Sequence, residues 1–78
     1  MNESRQATSA AIRAQYSKPG DILSTRTTRL WYSWIASEGG AFVFHEYHVN
    51  ACLHLATPFG TRKQAERAED HAFWIAVK

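Results

Sequence analysis

The stretch RLWYSWIASEGGAFVFHEYHV, residues 29–49, decides the fold of this chain because it contains two apolar segments joined by a turn. Six of the ten aromatic residues lie in it. The turn Ser37–Gly40 ends in two glycines, which accept the positive φ angles that a tight reversal requires. We predict a β-hairpin with a four-residue loop, which sets Ala36 opposite Ala41.

Both faces of the predicted hairpin are apolar near the turn. Side chains alternate between faces with a period of two, so the register assigns each residue to one face. Only the far end of the second face becomes polar, and a sheet built on this hairpin therefore needs cover on both sides. The first face carries Leu30, Tyr32, Trp34, Ala36, Ala41, Val43, His45 and Tyr47, and the second carries Arg29, Trp31, Ser33, Ile35, Phe42, Phe44, Glu46 and His48.

The length of the chain predicts a single domain, residues 1–78. A hydrophobic fraction of 45% and a charged fraction of 21% are ordinary for a globular protein. Because so short a chain buries only about 60% of its unfolded surface, we expect a stability of a few kcal/mol and help from a partner.

The same sequence predicts a cytoplasmic location. Its single cysteine, Cys52, cannot form an intramolecular disulfide, and the N-terminus lacks the apolar run of a secretory signal. No window approaches the roughly 18 uninterrupted apolar residues of a membrane span, so we expect no membrane partner.

Three further segments flank the hairpin. Alanines over Glu3–Tyr16 predict a weakly held helix that a Pro-Gly turn ends, so that helix and turn fill residues 1–20. Ile22–Thr28 either leads into the hairpin or forms a separate edge strand. Leu53–Ala56 alternates like a third strand, which Pro58 and Gly60 break. The predicted sheet covers residues 22–57.

A C-terminal helix is predicted over residues 61–77. Thr61 and Gln64 match a capping box, in which the two side chains satisfy opposing backbone donors. Phe73 and Trp74 project away from the small-residue stripe, which leaves them in need of another neighbour. The alternative is that Ala72–Val77 is a fourth strand. The stripe expected to face the sheet is Ala65, Ala68, Ala72, Ile75 and Ala76.

These elements give an α+β fold: a three- or four-stranded antiparallel sheet, with the C-terminal helix packed on one face and a short N-terminal helix. The helix is expected to stabilise the sheet by covering its large aromatic side chains. Aromatic surface that the helix leaves open would then be free for binding.

No metal site or catalytic centre is predicted. His45 and His48 fall on opposite faces of a regular strand, and the turn expected at Asn50 interrupts the run from His48 to Cys52 and His54. Cys52 between two strands is typical of a small buried hydrophobe. We therefore expect a non-enzymatic protein without a cofactor.

Binding residues are predicted at two places. Trp31, Phe73 and Trp74 are large aromatics of the kind that dominate interface energetics, and Arg29 and Arg62 would add charge-assisted contacts. Arg62 and Lys63 also place two cations at a helix N-terminus, where an anion would be favoured. Binding to a protein partner or to a second copy of the chain fits this surface.

The rival interpretation is a small regulatory protein that binds nucleic acid. The formal net charge of +2 is a mild bias, and the basic residues are interspersed with acidic ones instead of forming a run. Salt dependence would separate the two interpretations. The residues that would contact nucleic acid are Arg26, Arg29, Arg62, Lys63 and Arg67.

The layout from Trp31 to Lys78, about two thirds of the chain, resembles that of small phage accessory proteins, anti-CRISPR proteins among them. An aromatic hairpin is followed by TPFGTRKQAERA, residues 57–68, which opens a helix. The resemblance is architectural and carries no residue roles. It implies an inhibitor in the host cytoplasm that binds a CRISPR–Cas complex stoichiometrically and blocks guide-complex assembly, target DNA access or nuclease recruitment.

Overall fold

A computed structural model describes residue 14 and residues 21–77 of the chain. It contains strands β1 (Ser24–Thr27), β2 (Trp31–Glu38), β3 (Ala41–His48) and β4 (Leu53–Phe59), followed by helix α1 (Arg62–Ala76). The strands form one antiparallel sheet in the order β1-β2-β3-β4. The α+β class, the four-stranded alternative and the C-terminal helix are confirmed. The helix expected over Glu3–Tyr16 falls outside the described residues, apart from residue 14.

The hairpin between β2 and β3 turns on two residues instead of four. Glu38 pairs with Ala41, and Gly39 and Gly40 alone form the turn, with φ angles of 55° and 83°. The expected pairing of Ala36 with Ala41 is therefore wrong. Two consecutive residues with positive φ match the right-handed twist of the strands and need no further loop. Because the register moves by two residues, every side chain keeps its predicted face.

Strand β1 is a separate edge strand, which confirms one of the two alternatives for Ile22–Thr28. A tight turn joins them, and the Thr28 hydroxyl oxygen accepts from the backbone N–H groups of Leu30 (3.0 Å) and Trp31 (3.1 Å). The N–H of Thr28 donates to the carbonyl of Trp31 at 2.8 Å. A threonine side chain thus supplies the acceptor that the turn lacks.

The outer strand β4 continues through Pro58, which pairs with Val43. The expected break at this proline is wrong, because an outer strand tolerates a residue whose missing N–H would point away from the sheet. The turn before β4 contains Cys52 at φ 50°, and its thiol is exposed. The expectation of a buried Cys52 is also wrong, since turn residues face solvent.

Both faces of the sheet are buried, as predicted. Trp31, Ile35 and Phe44 form the core on the face that α1 covers, and Trp34 and His45 are fully enclosed on the other face. No helix in the described part of the chain is long and apolar enough to cross a membrane.

Helix α1 runs to Ala76, so the strand alternative for its end is excluded. Its capping box is confirmed, with Thr61 and Gln64 bonded in both directions. The predicted core stripe is wrong at Ile75, which is 61% exposed. Ala65 and Glu69 are the buried residues of the helix, and at 3.6 residues per turn Ile75 lies about 80° away from Ala65.

Candidate protein-binding surface

The start of α1 fixes how the helix lies on the sheet. Only Gly60 and Thr61 separate the end of β4 from Arg62, so the chain must fold back along the strands at once. Arg62 donates to Glu66 at 3.0 Å, one turn further along, which stabilises this end of the helix.

A buried carboxylate attaches the middle of α1 to the sheet. Glu69 is 3% exposed and accepts from the hydroxyl of Ser33 at 2.7 Å and from that of Ser24 at 3.2 Å. Ser33 itself is fully buried. Hydrogen bonds to an ionised acceptor are among the stronger ones in proteins, so these two bonds fix the helix against β1 and β2. The stripe predicted to face the sheet does not include Glu69, although its position four residues after Ala65 is the signal that puts it on the buried side.

A second attachment lies closer to solvent. Arg26 of β1 forms an ion pair with Asp70 at 2.7 Å, and its guanidinium carbon lies 5.0 Å from the centre of the Phe73 ring. Both charged side chains are partly exposed, so the ion pair contributes little by itself. Its role is to hold Arg26 over the aromatic ring.

Three aromatic rings form a row from the core to the surface. Trp31 meets Phe73 edge to face, with ring centres 6.3 Å apart, and Phe73 meets Trp74 in the same way at 5.9 Å. Trp31 is 2% exposed and belongs to the core, whereas Trp74 is 63% exposed. The expectation that Phe73 projects away from the sheet is wrong, because its ring packs edge to face on Trp31 and under the guanidinium of Arg26.

The exposed end of this row continues into neighbouring apolar side chains. Ile75 and Val77 are exposed beside Trp74 at the end of the helix. We call Phe73, Trp74, Ile75 and Val77 the aromatic end of α1. It presents large apolar side chains on a helix that the sheet holds in place.

The predicted binding residues do not form one surface. Arg29 lies in the β1–β2 turn just before Trp31, and so at the same end of the sheet as Phe73 and Trp74. Arg62 and Lys63 lie at the other end of α1, about 18 Å from Trp74 at ~1.5 Å per residue.

A cleft of about 520 Å³ lies between β1 and α1. Among its charged residues three are basic and three are acidic, so its charges balance. Lys63 lines it, together with Arg26 and Arg67 from the set considered for nucleic acid. The lining residues are Ser24, Thr25, Arg26, Lys63, Glu66, Arg67, Glu69 and Asp70.

The opposite face of the sheet holds a stacked histidine cluster that sequence reasoning missed. His45 bonds through Nε2 to the Glu38 carboxylate at 2.6 Å and through Nδ1 to Nε2 of His54 at 3.0 Å. The Trp34 ring stacks on both imidazoles, at 4.8 and 5.7 Å. The alternation of side chains along the strands puts Trp34 and His45 on the same face of the sheet. Nothing in the sequence indicates that their rings stack.

Burial and neighbouring groups in this cluster shift the pKa of His54. Burial lowers the pKa of His54, the nearby His45 lowers it further, and Glu38 opposes them in part. The 3.0 Å contact between the two imidazoles requires a hydrogen on one of the two facing nitrogens. Within residues 21–77, no three His, Cys, Asp or Glu side chains are grouped as ligands for a metal ion.

The remaining guide to function is similarity to known proteins. No protein-family model matches this chain, and neither the curated proteins nor the solved structures gave a match.

Proposed function

We propose that this chain is a small non-enzymatic protein that binds another protein stoichiometrically through the aromatic end of α1. One observation carries the proposal: Trp74 is 63% exposed, yet it lies against Phe73, which Trp31 and Arg26 hold in place. The tryptophan is a large apolar side chain on a rigid support.

Such a support favours binding for an energetic reason. Association costs free energy when flexible side chains become ordered, and a side chain that is already positioned avoids part of that cost. Tryptophan and arginine are enriched among the residues that dominate binding energy. The exposed Ile75 and Val77 widen the apolar area around Trp74, and the exposed Arg29 lies at the same end of the sheet.

The partner to test first follows from the layout of the chain, which resembles small phage accessory proteins. We propose that the partner is a host CRISPR–Cas complex and that the chain inhibits it in the host cytoplasm. The aromatic end would then occupy an apolar pocket of the complex and block assembly, target access or nuclease recruitment.

Charge arrangement favours a protein partner over nucleic acid. Of the five basic residues considered for nucleic acid, Arg26 is paired with Asp70 and Arg62 with Glu66. The cleft that contains Lys63 and Arg67 balances its three basic residues with three acidic ones. Nucleic-acid sites instead concentrate positive charge on one face.

The experiment is a titration of the labelled chain against purified CRISPR–Cas complexes, with and without guide RNA, and with the Trp74→Ala and Ile22→Ala variants alongside. Ile22 is also an exposed large hydrophobic residue, but it lies before β1 and outside the aromatic end. Loss of more than ~1 kcal/mol, about fivefold in Kd, is expected for Trp74→Ala, and little change for Ile22→Ala.

Three outcomes contradict parts of this proposal. Equal affinity of the Trp74→Ala variant and the parent removes the aromatic end as the site. If no complex binds, the CRISPR–Cas assignment falls. Binding that weakens steeply with salt and is insensitive to Trp74→Ala favours nucleic acid instead.

A further inference from the structure

Strand β4 is an edge strand of the sheet that the described residues form. It is last in the strand order, so one side of its backbone has no neighbouring strand among the described residues. Five of its seven residues are exposed, including Leu53 at 45% and Leu55 at 43%. A row of backbone donors and acceptors beside exposed leucines is a template for another strand.

The usual protections against strand pairing are weak on β4 and present on β1. Edge strands are normally kept apart by charged side chains, by short length or by proline. The sequence of β4, LHLATPF, contains no Asp, Glu, Lys or Arg, and Pro58 lies near one end. The four-residue β1 is short, and Arg26 in it is held by Asp70.

The hairpin turn fixes which backbone groups of β4 point outward. Glu38 and Ala41 flank a two-residue turn and so form a hydrogen-bonded pair, and the pairs along β2 and β3 alternate from there. Phe44 and Glu46 consequently bond toward β4, where they pair with Thr57 and Leu55. The N–H and C=O of Ala56, between those two residues, point away from the sheet.

We propose that β4 pairs antiparallel with β4 of a second copy of this chain, about a twofold axis at Ala56. The two Ala56 residues then exchange both backbone hydrogen bonds. On the side of α1, Leu55 lies opposite Thr57 of the second copy, and Leu53 lies opposite Phe59 of the second copy.

The charge of β4 and the area buried by strand pairing both bear on whether a second copy of the chain binds there. A twofold axis at Ala56 brings the residues next to it close to their own counterparts, so a charged residue there would repel its copy, and β4 has none. A stable interface buries about 800 Å² on each partner. Pairing along one strand, about 24 Å long at ~3.4 Å per residue, buries less, so the dimer is weak, with a Kd in the micromolar range.

The dimer would change how the partner protein is bound, and this consequence rests on the proposed function. Antiparallel pairing makes one eight-stranded sheet with both copies of α1 on the same face. The two aromatic ends therefore point to the same side, and a partner with two matching sites would be bound with greater avidity.

Sedimentation equilibrium of the isolated chain, in reducing buffer because Cys52 is exposed, tests the pairing. A monomer–dimer equilibrium is expected between ~1 and ~300 μM. Ala56→Pro removes the central donors, at a position with the same outward alternation as Pro58, and should raise the dimer Kd at least tenfold. Leu55→Lys places like charges near the axis and should act in the same direction.

The matched control is Thr25→Lys, which adds the same charge to the β1 edge and should leave the dimer Kd within twofold of the parent. Circular dichroism checks the fold, and Leu55→Lys decides the matter if Ala56→Pro does not fold. A parent chain that stays monomeric throughout overturns the proposal, as does a dimer that neither β4 variant weakens. Because no partner protein is present, this failure is separate from any failure of the Trp74 titration.

Discussion

The hydroxyl of Ser33 donates a 2.7 Å hydrogen bond to Oε2 of Glu69, and both side chains are buried between the sheet and α1. The two residues are 36 positions apart in the chain. Ser24 donates to the other carboxylate oxygen at 3.2 Å. A buried carboxylate is costly without donors, so these serines make the close approach of α1 to the sheet possible.

The Ser33→Ala variant should lose about 1–3 kcal/mol of unfolding free energy, because it removes a donor from a buried carboxylate. Urea denaturation measures the change. Ser37→Ala, on the same strand and the same face, is the matched control and should change stability by less than ~0.5 kcal/mol. Equal effects of the two substitutions would show that the bond to Glu69 is unimportant.

The row of aromatic rings should show a gradient of stability effects. Trp31→Ala is expected to cost about 3–5 kcal/mol, since it empties a fully packed site. Trp74→Ala should change unfolding free energy by less than ~0.5 kcal/mol, because the ring is largely exposed. Phe73→Ala should fall between them. A Trp74→Ala variant as unstable as Trp31→Ala would mean that Trp74 belongs to the core.

Alanine and asparagine should affect stability differently when they replace the two turn glycines. Gly40→Ala should destabilise the protein by about 1–2 kcal/mol, because φ is 83° and a β-carbon is unfavourable there. A β-carbon at either glycine meets no atom within 4 Å beyond its chain neighbours, so the cost comes from the local backbone conformation and not from a clash with more distant residues. Gly39→Asn should stay within ~0.5 kcal/mol of the parent, because Asn-Gly suits a two-residue turn. Equal destabilisation by both variants would contradict this turn geometry.

Cys52 has a φ angle of 50°, which an L-residue with a side chain adopts at a cost. Cys52→Gly should therefore raise the unfolding free energy by about 0.5–1 kcal/mol, as relief of strain exceeds the added entropy of the unfolded chain. Thermal and chemical denaturation in reducing buffer measure it. The control, Ala51→Gly, lies next to it without a positive φ and should destabilise. A Cys52→Gly variant that is destabilised as much as Ala51→Gly would refute the strain.

Stability should fall as the pH falls through the ordinary range of histidine. The pKa of His54 is lowered in the folded protein, so near pH 6.5 the unfolded chain binds more protons and acid favours unfolding. This loss of stability is absent at a pH above the pKa of His54 in the unfolded chain. It is complete at a pH below the pKa of His54 in the folded protein. His54→Gln should lose less stability than the parent between about pH 7.5 and 5.5.

The control for this titration is His71→Gln, which replaces an exposed histidine on α1. This variant should follow the parent curve. Parallel curves for His54→Gln and the parent would show that His54 is not responsible for the pH dependence.

The sequence by itself determined the features that depend on local chemistry. Alternation in residues 29–49 fixed which side chains share a face, and paired glycines fixed where the hairpin turns. Thr61 and Gln64 fixed the start of α1, because the capping box requires only residues three apart. The exposure of Trp74 also followed from its place opposite the alanine stripe.

Only the tertiary structure decided how α1 is rotated on the sheet. Local sequence leaves several sides of an alanine-rich helix free to face the core. The choice was made by contacts between distant residues: Glu69 with Ser33, and Phe73 with Trp31. These contacts buried Glu69 and exposed Ile75, because a hydrogen-bonded carboxylate and an edge-to-face ring pair together outweighed the burial of one isoleucine.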